Sequence, residues 1–182
     1  MIKSTLQEQS LPHIPVMLSE VLEYINPQID GIYIDGTIGA GGHAKSILGD
    51  PTSSRKVIGL DRDAEALRIC NNQFGASACF LISRRTSYHR FPEILDELGF
   101  DVVHGILLDL GLSSMQLNSD SRGFAFESKG DLDMRFNKNS GQTASDLINY
   151  SSEEELANII FNFGEERHSR RIAYNIKNMI KM

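Results

Sequence analysis

The sequence predicts an α/β protein with a parallel sheet. Four largely apolar runs, at residues 32–34, 57–60, 78–82 and 102–108, alternate with segments of helical periodicity. Such runs are expected of strands that are covered on both faces. A glycine-rich turn joins the first run to a helical segment at residues 44–48, and a strand, turn and helix in that order present backbone N–H groups to a ligand.

The connecting helices have recognisable ends. Ser19 is the expected N-cap of a helix that the Asn26-Pro27 pair ends. Asp63 is expected to cap a helix over residues 64–71, because its carboxylate accepts hydrogen bonds from free N–H groups. Residues 84–89 are predicted to be a polar connection, and residues 91–98 a helix.

Two more helices are predicted near the C-terminus. Ser152 and Glu155 form a capping box for the first, and Gly164 is expected to close it. The second has an apolar stripe with no later partner in the sequence, which favours self-association, so a homodimer is one expectation. The stripe consists of Ile172, Ile176, Met179 and Ile180.

Composition excludes several classes of protein. The 182 residues suffice for one domain with a core, and no apolar run approaches the roughly 20 residues of a membrane span. Residues 1–9 lack the pattern of a targeting peptide, so a cytoplasmic location is expected. A net charge of −6 argues against indiscriminate nucleic-acid binding, although not against a local basic patch. Cys70 and Cys79 have no metal-ligand spacing and are predicted to be buried thiols.

The glycine-rich turn is the strongest candidate for a ligand site. Gly39, Gly41 and Ala44 fit the spacing G-x-G-x-x-A, although an ordinary turn would also contain glycines. Asp35 ends the preceding strand. Asp61 ends the next strand, twenty residues after Gly41, where a carboxylate can bind a ribose diol.

Two cofactors suit this arrangement of strand and turn. A nicotinamide dinucleotide needs a helix N-terminus aimed at its pyrophosphate. S-adenosylmethionine carries a sulfonium cation and an amino group instead. Asp35 attracts a cation and repels a pyrophosphate, so we favour S-adenosylmethionine and keep a nicotinamide oxidoreductase as the alternative.

Several motifs in one order resemble those of a known family. The sequence is similar to the ribosomal RNA small-subunit methyltransferase H, or MraW, family of cytosine-N4 methyltransferases from about His13 onwards. The motifs are His13-Ile-Pro-Val-Met17, the glycine turn through His43, Asp61-Arg-Asp63, residues 105–111 with Ser113-Ser-Met-Gln116, Arg122-Gly-Phe124, Leu132-Asp-Met-Arg135 and Gly164-Glu-Glu-Arg167.

The resemblance implies a Rossmann-like methyltransferase fold, S-adenosylmethionine as cofactor and a cytidine of small-subunit (16S) ribosomal RNA as substrate. It places residues 40–43 at the methionine end of the cofactor and Asp61 at its ribose. Tyr88 is the nearest match to an aromatic residue that the family has after strand three. The full set of expected cofactor contacts, including the residues of the turn, is Asp35, Gly39, Ala40, Gly41, Gly42, His43, Asp61, Tyr88, Asp109 and Gln116.

Catalysis would require an acceptor for the protons of the target amine. Asp109 follows the fourth predicted strand and is the candidate catalytic residue, or else it only binds cofactor. The target base must leave its stack, and Phe124 or Phe126 could stack on it. Arg122 and Arg135 are expected to hold RNA phosphates. They lie in a long loop at residues 111–142, which is interpreted as a substrate loop; the alternative is a packed surface loop without a functional role. Residues 167–171 form a basic run that either contacts RNA or is a solvated helix face.

Members of the resembled family continue for more than a hundred residues beyond the position that matches residue 182. The expected organisation is therefore a cofactor-binding domain at residues 1–135, which includes the substrate loop, and the start of a truncated, inserted helical domain at residues 143–182. The sheet would be incomplete, and we expect cofactor binding with little or no methyl transfer. A non-catalytic cofactor-binding or RNA-binding fragment is the other alternative.

Overall fold

The computed structural model describes residues 15–75 and 80–180. The chain divides into two compact units after Gly111. The first contains β1 (Ile32–Asp35), β2 (Lys56–Asp61), β3 (Leu81–Arg85), β4 (Gly105–Leu107), α1 (Leu18–Ile25), α2 (Gly42–Leu48), α3 (Ala64–Phe74) and α4 (Phe91–Leu98). The second contains α5 (Ser114–Leu117), α6 (Ala144–Tyr150), α7 (Glu153–Gly164) and α8 (Ser169–Ile180).

The predicted α/β class with a parallel sheet is confirmed. The four strands are in the order β3-β2-β1-β4, and each neighbouring pair is parallel. β1 is central because it pairs with both β2 and β4, and its last residue, Asp35, is opposite Gly59 and Leu107. The carboxyl ends of all four strands therefore meet at one edge, where open α/β sheets bind ligands.

The sheet has an apolar core on each face. Tyr33 and Val57 point to one face and pack with α2 and α3, whereas Ile34 and Ile58 point to the other face with Ile94 of α4. This alternation follows from the two-residue period of a strand. Cys70 lies in the first of these cores, as predicted, and Cys79 falls outside the described residues.

Strands three and four differ from their predicted bounds. β3 begins at Leu81 and continues through Arg84 and Arg85, which were expected in a polar connection. The extension forms because backbone pairing with β2 continues to Asp61, and backbone hydrogen bonds do not require apolar side chains. β4 keeps only three residues of the long apolar run, and Ile106 within it is exposed.

Three predicted helix ends can be compared with the structure. The N-cap of α1 is Met17 in a left-handed conformation rather than Ser19, whose hydroxyl donates to Glu20. Asp63 caps α3 as predicted. The capping box of α7 is also confirmed, but its C-cap is Glu165, with φ at 52°, rather than Gly164.

The second unit has a small core of its own. Leu156 and Ala157 of α7 pack against Ala173 of α8, with Ile148 and Ile176 beside them. Part of the apolar stripe of α8 is thus covered within this unit. The compact units divide after Gly111, and the predicted domain boundary at residues 135–143 stays a prediction. None of the helices in the described parts of the chain has both the length and the apolar character to span a bilayer.

Candidate functional site

Three carboxylates lie at the edge of the sheet that is formed by the carboxyl ends of the strands. Asp35 ends β1, Asp61 ends β2, and Asp109 follows β4 by two residues. Asp35 is only 1% exposed. Its pKa is raised to about 7, mainly by burial and to a smaller extent by the negative charges of Asp61 and Asp109, while a hydrogen bond from the Thr37 N–H, 3.2 Å away, opposes the rise. The edge therefore concentrates negative charge around a buried carboxyl.

Asp61 is bound to the glycine turn itself. Its Oδ2 accepts a hydrogen bond from the Gly39 N–H at 2.9 Å, and its Oδ1 accepts one from the Asp63 N–H at 2.8 Å. Burial raises the pKa of Asp61, while these hydrogen bonds oppose the rise. A carboxylate has about four acceptor positions, so the backbone hydrogen bonds to Asp61 do not use all of them.

The turn is tied to the strands on both sides of β1. The Gly36 N–H donates to Leu107 O at 2.9 Å, and the Ile38 N–H donates to Leu60 O at 3.1 Å. These bonds continue the pairing beyond the end of β1. They hold the turn in the crevice between β2 and β4.

Gly39 and Gly41 have different roles in this turn. Both have positive φ, 53° and 90°. A Cβ on Gly39 would meet only Thr37 O at 3.8 Å, so this glycine faces open space. A Cβ on Gly41 would lie 2.7 Å from Cys70 Sγ and 2.7 Å from Phe74 Cε2, so this glycine permits close packing of the turn against α3.

The segment before α1 covers part of the turn. His43 is buried, and its Nε2 lies 2.9 Å from Val16 O. A Cβ on Gly42 would lie 2.5 Å from Pro15 Cγ. Ala40 is half-buried. Gly42 and His43 thus contact protein in this structure, which leaves Gly39 and Ala40 as the more accessible expected contacts.

Tyr88 and Asp109 lie beside the start of the turn. Tyr88 is 40% exposed, and a Cβ on Gly36 would lie 2.8 Å from the Tyr88 Cβ. The Asp109 N–H donates to Thr37 Oγ1 at 2.7 Å. Asp109 is exposed, and its carboxylate accepts no hydrogen bond from the described residues. Thr37 therefore links Asp35 to Asp109, a role that sequence reasoning missed although Thr37 lies between the aspartate and the glycines.

The other expected contacts belong to the second unit. Gln116 is buried, and its Oε1 accepts a hydrogen bond from the Ser113 N–H at 3.1 Å in the capping box of α5. Its role as a cofactor contact stays a prediction.

The two arginines expected to hold RNA are engaged within their own loop. Arg122 is buried, and its Nη2 donates to the carbonyl oxygens of Arg135 and Phe136, both at 3.1 Å. Arg135 makes a two-pronged ion pair with Asp133, with both N···O distances at 2.9 Å, and donates to Gly141 O at 3.0 Å. These contacts give both arginines a structural role, which motif spacing did not reveal.

The phenylalanines of this loop differ in exposure. Phe124 packs against Phe136 with the ring centroids 5.9 Å apart. Phe126 is fully exposed. Of the two rings expected to stack on a base, Phe126 is the more exposed.

Comparisons with known proteins identify the family of this chain. The family model described as the MraW methylase family matches residues 10–182. Relatives named "Ribosomal RNA small subunit methyltransferase H" include one from Geotalea uraniireducens, 45% identical over 88% of this chain and 52% of the relative. Others are from Thermosipho africanus, 45% identical over 91% and 56%, and Maricaulis maris, 46% identical over 89% and 48%. This chain spans about half the length of the curated relatives that it matches. Because the family model extends over nearly all of the sequence, the chain belongs to the MraW methylase family.

Proposed function

We propose that this chain binds S-adenosylmethionine and takes part in transferring its methyl group to the exocyclic N4 of a cytidine in small-subunit ribosomal RNA. The observation that carries the proposal is the group of carboxylates Asp35, Asp61 and Asp109 around the glycine turn. A concentration of negative charge suits a sulfonium and an amino group, and it opposes a pyrophosphate. The same observation disfavours the nicotinamide oxidoreductase.

The chemistry of these residues fits S-adenosylmethionine. Asp35 would face positive charge, the remaining acceptor positions of Asp61 would bind the ribose hydroxyls, and the Tyr88 ring would cover the adenine. Gly39 leaves room for close approach to the backbone. When bound, S-adenosylmethionine supplies an electrophilic methyl group.

The identity of the acceptor rests on the relatives and on the family resemblance. Their name supports small-subunit ribosomal RNA as the substrate class. The N4 lone pair of cytosine is delocalised into the ring, so the amine is a weak nucleophile. An acceptor on its hydrogens would localise the lone pair and stabilise the developing positive charge. The carboxylate of Asp109 is exposed and has acceptor capacity for this role.

The experiment is a radiolabelled-methyl transfer assay on small ribosomal subunits that lack the modification. Its companion is calorimetric titration of the same chain with S-adenosylmethionine and, separately, with NAD. We expect binding of S-adenosylmethionine and not of NAD, and any label incorporated should be at N4 of cytidine. Asp109→Ala, which removes the acceptor, should abolish any transfer that this chain performs and largely retain binding if Asp109 is the acceptor.

Each alternative has a distinct result. Binding of NAD instead of S-adenosylmethionine would replace the proposal with the oxidoreductase. Binding of S-adenosylmethionine without any transfer by this chain would favour the non-catalytic fragment. Label at another base or another atom would contradict the assignment to cytidine N4.

A further inference from the structure

The carboxyl ends of β2 and β3 carry three arginines that the proposed cofactor site does not use. Arg62 directly follows β2, and Arg84 and Arg85 are the last two residues of β3. All three are exposed. We call them the rim arginines, since β3 lies beyond β2 in the strand order, away from β1 and its glycine turn.

Backbone pairing holds the rim arginines at the ligand-binding edge. Arg84 is opposite Leu60, and Arg85 is opposite Asp61. The Thr86 N–H donates to Asp61 O at 2.9 Å, which extends the attachment past the end of β3. Successive strand residues point to opposite faces, so Arg84 and Arg85 flank the strand end from both sides.

Two of the rim arginines, Arg62 and Arg84, differ from other arginines of the first unit that pair with an acidic neighbour. Arg68 pairs with Glu65 at 2.6 Å, and Arg90 pairs with Glu93. No acidic side chain among the described residues forms an ion pair with Arg62 or Arg84, whereas Arg85 donates to Arg62 O at 3.5 Å. Arg62 and Arg84 therefore carry positive charge that no acidic side chain of the described residues pairs with, on a chain whose net charge is −6.

Binding of RNA to this chain is opposed by electrostatic repulsion, because both carry a net negative charge. The carboxylates at the centre of the edge repel phosphates, and the net charge repels RNA as a whole. Arginine binds phosphate well because its planar guanidinium can donate two parallel hydrogen bonds. Strands lie about 4.8 Å apart, so the end of β3 is about 10 Å from the end of β1, far enough to receive a polyanion that extends beyond a cofactor.

We propose that the rim arginines bind the phosphate backbone of the substrate RNA beside the cofactor site. This inference rests on the proposed function for the identity of the RNA. It adds a binding surface in the first unit to the loop residues expected to contact RNA in the second.

The test compares two double variants that lose the same charge. Arg62→Gln with Arg84→Gln removes the two rim arginines that have no ion pair among the described residues. Lys56→Gln with Arg68→Gln is the matched control, since Lys56 begins β2 at the opposite end of the strand and Arg68 is on α3. Each protein is titrated with a transcript of small-subunit ribosomal RNA at several salt concentrations, and with S-adenosylmethionine. Thermal unfolding checks that each variant is folded.

We expect the rim variant to bind the transcript about tenfold more weakly at low salt, on the order of threefold for each phosphate contact. The slope of log affinity against log salt should fall by about 1.4, at about 0.7 for each contact with a single strand. The control should change both quantities much less, and neither variant should lose S-adenosylmethionine affinity.

Three results would overturn the proposal. They are RNA binding by the rim variant equal to that of the unmodified chain, equal losses in the two variants, and loss of cofactor affinity without loss of RNA affinity. A different result would contradict the proposed function but not this inference. It is weaker RNA binding by the rim variant in a protein that does not bind S-adenosylmethionine even when unmodified.

Discussion

Asp61 accepts a hydrogen bond from the backbone N–H of Gly39 at 2.9 Å, so one expected cofactor contact holds another in place. Asp61→Ala would leave the N–H groups of Gly39 and Asp63 without this acceptor. We expect a loss of about 1–3 kcal/mol in S-adenosylmethionine binding, and a loss of unfolding free energy in the same range. Calorimetry and chemical denaturation measure the two quantities. Unchanged cofactor affinity would remove Asp61 from the site.

The two glycines of the turn predict opposite consequences of adding one methyl group. Gly41→Ala should destabilise the first unit, because its Cβ would collide with Cys70 and Phe74. An added Cβ at Gly39 has room, so Gly39→Ala should lower the free energy of unfolding by only about 1 kcal/mol, because of the left-handed backbone at this position. The same variant should clearly lose cofactor affinity. Thermal unfolding and titration of both variants separate the effects. Normal binding by Gly39→Ala would show that this face of the turn does not contact cofactor.

The buried carboxyl of Asp35 predicts a pH dependence of folding. Its folded-state pKa of about 7 lies above the ordinary value of 3.8, so the folded chain retains a proton that the unfolded chain releases between these values. The stability that Asp35 contributes is therefore present below pH 3.8 and is lost as the pH rises to about 7. Asp35→Asn should flatten this part of the profile, as measured by denaturation across the range. An identical profile in the variant would exclude Asp35 as its source.

The same carboxyl predicts a pH dependence of cofactor binding with the opposite sign. A cation favours the ionised form, so S-adenosylmethionine should bind more tightly as the pH rises through about 7. S-adenosylhomocysteine has no sulfonium and is the matched control. Titrations at about pH 6 and about pH 8 should show a larger gain for S-adenosylmethionine, and the difference should vanish in Asp35→Asn. Equal gains for both ligands would place the sulfonium away from Asp35.

Because Arg135 forms an ion pair with Asp133, we expect that substituting Arg135 lowers the stability of the fold and does not affect RNA binding alone. The side-chain hydrogen bonds from Arg135 lower the pKa of Asp133 to about 2. The stability that the ionised Asp133 contributes is therefore present above its ordinary pKa of 3.8 and is lost as the pH falls to about 2. Arg135→Ala should lower the free energy of unfolding at neutral pH, as measured by denaturation. Arg170→Ala, at an exposed position on α8, is the control and should cost much less.

The exposed ring of Phe126 predicts an effect on RNA without an effect on folding. Phe126→Ala should weaken RNA binding by about 1–3 kcal/mol, the range for stacking of one base on an aromatic ring. Phe124→Ala should instead lower the melting temperature, since Phe124 packs on Phe136. Phe163, an exposed phenylalanine of α7, provides the control substitution. If Phe126→Ala and Phe163→Ala bind RNA equally well, Phe126 does not stack on the substrate.

Local sequence patterns determined the fold class and the position of the candidate site. Apolar periodicity revealed the strands, and parallel strands have their carboxyl ends at one edge, so Asp35 and Asp61 could be assigned to the same edge from the sequence. The glycine turn was visible because positive φ favours glycine. Capping residues such as Asp63 and Ser152 were found because a cap bonds to N–H groups only two or three residues away.

Tertiary structure decided which partner each of these side chains meets. Gly41 packs against α3 and Arg122 reaches the carbonyl of Arg135, and neither contact follows from spacing, because each joins segments more than ten residues apart. Arg84 and Arg85 became strand residues only through pairing with β2. Hydrogen bonding and packing depend on what folding brings into contact, and a linear pattern of residue types does not contain that information.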